Sequence, residues 1–229
     1  MKKIDKRIML KDIQENNYRL HQGSYLISGT NRLFSYKHQV ELAVESKPNN
    51  ILIIGKGDGI VENIIASSGI KVITVDIDRI LKPNIVASVE YIPLHDNSID
   101  VCLCCEVLEH LHYNSFEETL KELYRVTKNI LVLSLPDIRR FLSLRLIAPK
   151  LNLQYQVSLP RLRKRKFPKT RTDSMGHYWE IGFRDYDFGN ITNAIEAAGW
   201  KIDKTFRVHD MQWHTFFYCK KKFTSRLSG

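Results

Sequence analysis

The stretch "ILIIGKGDGI", residues 51 to 60, places glycines at 55, 57 and 59 directly after four apolar residues. Glycine lets a backbone turn sharply and lie close against a ligand, because no Cβ stands in the way. Three ligand classes use such a turn. A phosphate loop needs Gly-Lys followed by Ser or Thr, and Lys56 is followed by Gly57. The dinucleotide fingerprint wants a small residue where Ile60 stands. The third class is S-adenosylmethionine. Asp76 follows about 20 residues after Gly55, the spacing at which a carboxylate meets a ribose diol. A carboxylate there accepts charge-assisted hydrogen bonds from both hydroxyls.

Other side chains suit proton transfer. His110, in "EVLEHL", is the best-placed general base, since this segment leaves the carboxyl end of a strand. His177, Tyr178, Trp179 and Glu180 form an aromatic and charged group that suits a wall for a polar ring such as a sugar, or equally the core of a lid. Near the N-terminus, His21 and Tyr25 could close over the site. The run Cys102, Cys104, Cys105, Glu109, His110, His112 invites a metal reading. Its spacing is wrong for a structural zinc site, and the cysteines read as small core residues of a strand, so no metal is expected.

The elements that must position these residues follow from hydrophobic periodicity. "NILIIG" reads as a buried parallel strand. "GIVENIIASSG" is a helix stopped by Gly69, and "KVITVDID" is a second strand. "IVASV" is a weaker third strand and "DVCLCCEV" a fourth. "NSFEETLKELYRVTK" is a helix for which Ser115 and Glu118 predict a capping box. "NILVLSLP" is a fifth strand. "NITNAIEAAG" is a helix capped by Asn190 and stopped by Gly199. "WKIDKTFRV" and "HTFFYCKKK" are closing strands, antiparallel because they are so close in sequence. The pattern predicts an α/β fold, a three-layer Rossmann-like sandwich with a seven-stranded, mostly parallel sheet and an antiparallel C-terminal hairpin strand. Residues 1–47 are expected to form an N-terminal helical lid and 48–229 the main domain. A lid or subdomain is inserted at about 138–180, where the pattern lapses for too long for an ordinary connection.

Composition bounds the rest. The chain has 229 residues and a net charge of +10. Seven basic residues crowd into "RLRKRKFPKTR", 161 to 171, without an acid. That run could bind RNA or an anionic lipid head, or be a solvated lid segment. The N-terminal stretch has no apolar core of a secretory signal, no run reaches the ~20 apolar residues of a membrane span, and the cysteines form no disulfide framework. A cytoplasmic setting is expected.

Taken together, these stretches resemble a class I S-adenosylmethionine-dependent methyltransferase of the bacterial methyltransferase type 11 group. "ILIIGKGDG" resembles the first motif, "VDID" the second. "YIPLHDNSIDVCLCCEVLEHL" is similar to the stretch around the fourth strand, and "LYRVTKNILVLSLPD" to the fifth-strand segment. "HYWEIGFRDYDFGNITNAIEAAGWKIDKTFRV" resembles the C-terminal part of members associated with surface-polysaccharide gene clusters. The resemblance implies that Gly55, Gly57 and Gly59 wrap the methionine part of the cofactor. It places Asp76 on the ribose and Ile77 against the adenine. Ser88 and Val89 fall at the adenine edge, and Glu106 borders cofactor and acceptor. Two positions depart from the family. Ile53 stands where an acid usually precedes the first glycine, and Ser88 where an acid meets the adenine. The implied activity is methyl transfer to a small polar acceptor, an oxygen of a sugar or glycolipid precursor. Two alternatives stand beside it: an RNA methyltransferase using the basic 161–171 segment, with nucleic acid as a less favoured partner, and a catalytically inactive binding module. Peripheral membrane contact is compatible with the basic segment, and the oligomeric state is not readable.

Overall fold

In the computed structural model, residues 32–148, 151–159, 176–209 and 211–222 are described. His21, Tyr25 and the basic 161–171 segment lie outside them. Helix α1 (Arg32–Val44) leads into β1 (Asn50–Ile54). Then follow α2 (Ile60–Ser67), β2 (Lys71–Asp76), β3 (Ile85–Val86), β4 (Ile99–Cys105), α3 (Phe116–Val126) and β5 (Thr127–Pro136). An antiparallel ribbon of β6 (Phe141–Ala148) and β7 (Leu151–Ser158) interrupts the alternation. Helix α4 (Phe188–Ala197) restores it, and β8 (Trp200–Arg207) and β9 (His214–Lys221) complete the main sheet.

The seven-stranded sheet runs β3-β2-β1-β4-β5-β9-β8. Strands β1 to β5 pair in parallel, and β9 enters antiparallel between β5 and β8. Strand side chains alternate between faces, so β1 feeds two cores. Leu52 and Ile54 pack with Phe116, Leu120 and Leu123 of α3 and Ile191 and Ile195 of α4. Ile51 and Ile53 pack with Leu42 and Ala43 of α1 and Val61 and Ile65 of α2. Burial on both faces is why β1 reads as unbroken apolar sequence. Because β1 has β2 on one side and β4 on the other, the connections diverge there. A crevice therefore opens outside the carboxyl ends of these strands.

Two cap predictions are corrected. Ser115 makes no side-chain cap. It leaves a 3-10 turn (Tyr113–Ser115) with helical backbone angles, whereas a capping side chain needs an extended residue. At α4 the cap is Asp187, whose carboxylate accepts from the Asn190 N–H at 2.9 Å. Asn190 lies inside the first turn. The third strand is only two residues long. Among the described residues no helix is long and apolar enough to cross a membrane.

Candidate functional site

The turn after β1 is built by its glycines. Gly55, Gly57 and Gly59 have φ of 77°, 56° and 77°, the left-handed region that side chains disfavour. A Cβ at Gly55 would stand 2.5 Å from the Val107 methyl, so the β4 loop closes directly on the turn. A Cβ at Gly57 would meet nothing within 4 Å, so that position borders open space. Asp58 fixes the turn from inside. Its Oδ1 accepts from the Ile60 N–H at 3.1 Å and its Oδ2 accepts from the Tyr36 hydroxyl of α1 at 2.7 Å.

Asp76, the last residue of β2, faces the same turn. Its Oδ2 accepts from the Lys56 N–H and its Oδ1 from the Asp78 N–H, both at 2.8 Å. The carboxylate thus locks the glycine turn against β2, and its four lone-pair directions allow further donors. Asp78 is buried. Its Oδ1 accepts from the Ile80 N–H at 2.9 Å, while its Oδ2 finds no partner among the described residues. Ile77 is half-buried and Val89 buried. Ser88 folds its hydroxyl onto the Glu90 N–H at 3.2 Å.

Beyond β4 the chain gathers charge. Glu106 adopts φ 58° without being glycine, a strained conformation of the kind that collects at functional sites. Its carboxylate lies 3.8 Å from the Arg32 guanidinium and accepts from the Ser35 hydroxyl at 3.4 Å, both on α1. On the sheet side, His214 Nε2 lies 3.8 Å from Glu106. Burial lowers the pKa of His214 against the pull of Glu106, and its Nδ1 has no partner among the described residues.

Glu109 is fully buried, and neither carboxylate oxygen has a hydrogen-bond partner among the described residues. Burial pushes its carboxyl up to about 8, although the charge of His177 opposes the shift. His177 is itself buried and donates from Nδ1 to Glu180 Oε1 at 2.7 Å. The exposed ring of His110 stands edge-on to His177, centroids 5.1 Å apart. His110 Nδ1 lies 3.4 Å from the Gly176 carbonyl oxygen. One ligand atom from each of Glu109, His110 and His177 lies within 4.8 Å of the others.

The two segments that supply this group are clamped together. The Tyr178 N–H donates to the Glu109 carbonyl at 2.8 Å, and the Trp179 indole N–H donates to the Leu111 carbonyl at 3.1 Å. Trp179 is fully buried against Phe116 and Tyr113, so it anchors the segment from the core and lines no surface. Tyr178 stays half-buried with its ring 4.1 Å from that of His112.

Residues 52–130 match the methyltransferase type 11 family, described as a methyltransferase domain. Over these residues the chain carries a methyltransferase domain. No curated protein matches it. Solved structures share its fold. The 1,6-didemethyltoxoflavin-N1-methyltransferase of Burkholderia thailandensis superposes with a TM-score of 0.65 at 10% identity, over 97% of this chain and 92% of that one. The magnesium protoporphyrin IX methyltransferase of Synechocystis PCC 6803 gives 0.60 at 14% identity, over 95% and 100%. A methyltransferase of Aquifex aeolicus gives 0.52 at 15%, over 91% and 98%.

The Burkholderia and Synechocystis structures hold S-adenosylhomocysteine, and the residues at hand in this chain suit a ligand of that kind. The turn at Gly57 offers a cradle that any side chain would fill, and Asp78 Oδ2 is a buried acceptor awaiting a donor. Sequence reading passed over Asp78, His214 and Arg32. The doubled acid of "VDID" was the available signal for the first. His214 and Arg32 come from distant elements with no local pattern. Glu109 was noticed only beside the cysteines. Cys102 and Cys104 are buried sheet residues, and the histidine that joins Glu109 and His110 is 67 positions beyond His110.

Proposed function

We propose that this methyltransferase acts on a hydroxyl oxygen of a small polar acceptor, a sugar or glycolipid precursor. The observation that carries this reading is the group of proton-accepting side chains beyond β4: Glu106, His110, His177, Glu180 and His214. A hydroxyl must lose its proton as it is methylated, and a positioned base is worth about 10² to 10⁴ in rate. An acceptor that arrives as a neutral amine has less need of such a group.

The bound cofactor supplies a methyl group already activated by its sulfonium charge. The chain's residues have four tasks. The main chain at Gly55, Gly57 and Gly59 lies along the methionine part, and Asp76 accepts from the ribose hydroxyls. Ile77, Ser88 and Val89 border the adenine. Glu106 stands between cofactor and acceptor, its carboxylate held by Arg32, Ser35 and His214. His110 meets the acceptor hydroxyl. With its Nδ1 beside the Gly176 carbonyl, the neutral ring carries its proton there and receives the hydroxyl proton at Nε2. The Tyr178 ring, with His112 tilted against it, offers an aromatic face for a sugar ring. Holding the two reactants aligned and dry accounts for most of the rate in such a displacement.

The test is incubation of the full chain with S-adenosylmethionine and matched panels of glycosides, sugar nucleotides, aliphatic amines and short RNAs, followed by mass spectrometry. The expected product is a methyl ether on a sugar hydroxyl. Methylation confined to amines or to RNA would overturn the acceptor assignment.

A further inference from the structure

We propose that Glu109, His110 and His177 form a binding site for a divalent first-row transition ion, with Glu180 orienting His177 behind it. Two histidines and one carboxylate, each with a ligand atom within 4.8 Å of the others, match the donor set of three-ligand ion sites that keep positions open. Mixed nitrogen and oxygen donors favour zinc, manganese, iron or cobalt over magnesium and calcium, which prefer oxygen alone.

Glu109 supplies an independent argument. A carboxylate with both oxygens buried and unpartnered forfeits hydration without compensation. Among the described residues no Lys or Arg pairs with it. A cation between it and the two imidazoles removes that deficit. The surroundings agree. Glu106 and Glu180 are near enough to act on Glu109 through their charges. Arg32 is directed at Glu106, Lys56 at Glu62, and Arg139 and Arg207 at Asp137.

His177 Nδ1 is committed to Glu180 at 2.7 Å, so His177 would ligate through Nε2. A carboxylate behind a ligating imidazole is the usual way to fix its tautomer and raise its basicity. Segments 109–111 and 177–180 are pinned by the Tyr178–Glu109 and Trp179–Leu111 hydrogen bonds, with Trp179 in the core. The donors are therefore held before any ion arrives, which makes binding a local event.

The site's existence needs nothing from the acceptor assignment. Its chemical role rests on that reading: an ion here would lower the pKa of a coordinated acceptor hydroxyl, and with the His110 ring committed to the ion the hydroxyl proton would pass to solvent.

The experiment uses the tag-free full chain, stripped with chelator and dialysed against Zn²⁺, Mn²⁺ or Mg²⁺, with bound metal counted by plasma mass spectrometry. We expect one equivalent of Zn²⁺ or Mn²⁺ per chain and none of Mg²⁺. Glu109→Gln, which keeps size, and His110→Ala, at an exposed position, should each weaken binding about 100-fold or more. Glu180→Gln should weaken it by roughly 10- to 100-fold through His177. Loading with Co²⁺ gives a second readout, visible absorption bands that His110→Ala alters. A wild-type chain that takes up none of these ions, or a folded His110→Ala chain that retains the ion and an unchanged cobalt spectrum, overturns the site. Calorimetry with S-adenosylmethionine runs in parallel. A chain that binds cofactor but no ion loses this inference and keeps the methyltransferase reading; a chain that binds the ion alone does the reverse.

Discussion

At the scale of single residues, Asp76 does two jobs. It accepts the Lys56 and Asp78 N–H groups at 2.8 Å, which fixes the glycine turn, and in the proposed reading it also accepts a ribose diol. Removing it takes away a charged acceptor and releases the turn. Asp76→Ala is expected to weaken S-adenosylmethionine binding by about 1.5 to 3 kcal/mol, roughly 10- to 150-fold in dissociation constant. Isothermal calorimetry measures this directly, and an unchanged constant would remove Asp76 from the cofactor site. The legible part of the site ends about here. The glycines and Asp76 are local signals, because a strand-turn-strand spacing fixes where they go. Glu106, His177 and His214 meet only through tertiary packing of three elements, and no spacing announces it.

At the scale of elements, the ribbon β6–β7 and its root behave as different materials. The root is Asp137, buried where β5 ends, which receives Arg139, Arg207 and the Thr215 hydroxyl at 2.6 Å. Burial alone would raise its pKa, but the hydrogen bonds from Arg139 and the charge of Arg207 prevail and hold it below the usual range. Asp137→Asn leaves two guanidinium groups without a counter-charge. The expected loss is about 3 to 5 kcal/mol, read by urea unfolding at pH 7. Because the folded pKa is depressed, this stabilisation is complete above about pH 4 and is lost as pH falls through the folded value. The variant should therefore show a flatter acid limb than the parent. A parallel acid limb would mean that the carboxylate is not held this way.

The ribbon itself carries Leu142, Leu144, Leu146, Leu153 and Tyr155 on one side, all more than half exposed. Period-2 alternation explains the pairing, but among the described residues nothing covers this face of the ribbon enough to bury these leucines. Leu144→Lys is expected to change stability by less than about 0.5 kcal/mol. A large loss in the same urea experiment would show that the face is covered. The sequence reading placed an insertion here without its form, since a free ribbon and a packed strand carry the same alternation. Cap positions were misread for a related reason. Ser115 and Asn190 are the right residue types near the right places, but the backbone entering each helix decides which residue is extended enough to cap.

At the scale of the whole molecule, the mostly parallel sheet with its antiparallel closing strand was recoverable because each step is local: short connections and a closing hairpin leave few alternatives. The consequence is a crevice, the proposed cofactor site, whose walls come from α1, the β1 turn, the β2 end and the β4 loop together. Tyr36 reaches Asp58, Arg32 and Ser35 reach Glu106, and Val107 closes on Gly55. Ligand binding at such a junction stabilises the folded chain by mass action. At a concentration of S-adenosylmethionine 100 times its dissociation constant, the gain is about 2.7 kcal/mol. For a chain of this size that raises the melting temperature by roughly 5 to 10 °C. Gly57→Val supplies the control. A Cβ there meets no atom of the described residues within 4 Å, so the domain should still fold, at a cost of about 1 to 2 kcal/mol for the left-handed backbone. The same side chain occupies the space in which the cofactor must lie. The parent should therefore melt higher with cofactor while Gly57→Val shows no shift. An equal shift in both would mean that the donor binds away from this turn, and the acceptor-side roles of Glu106 and His110 would fall with it.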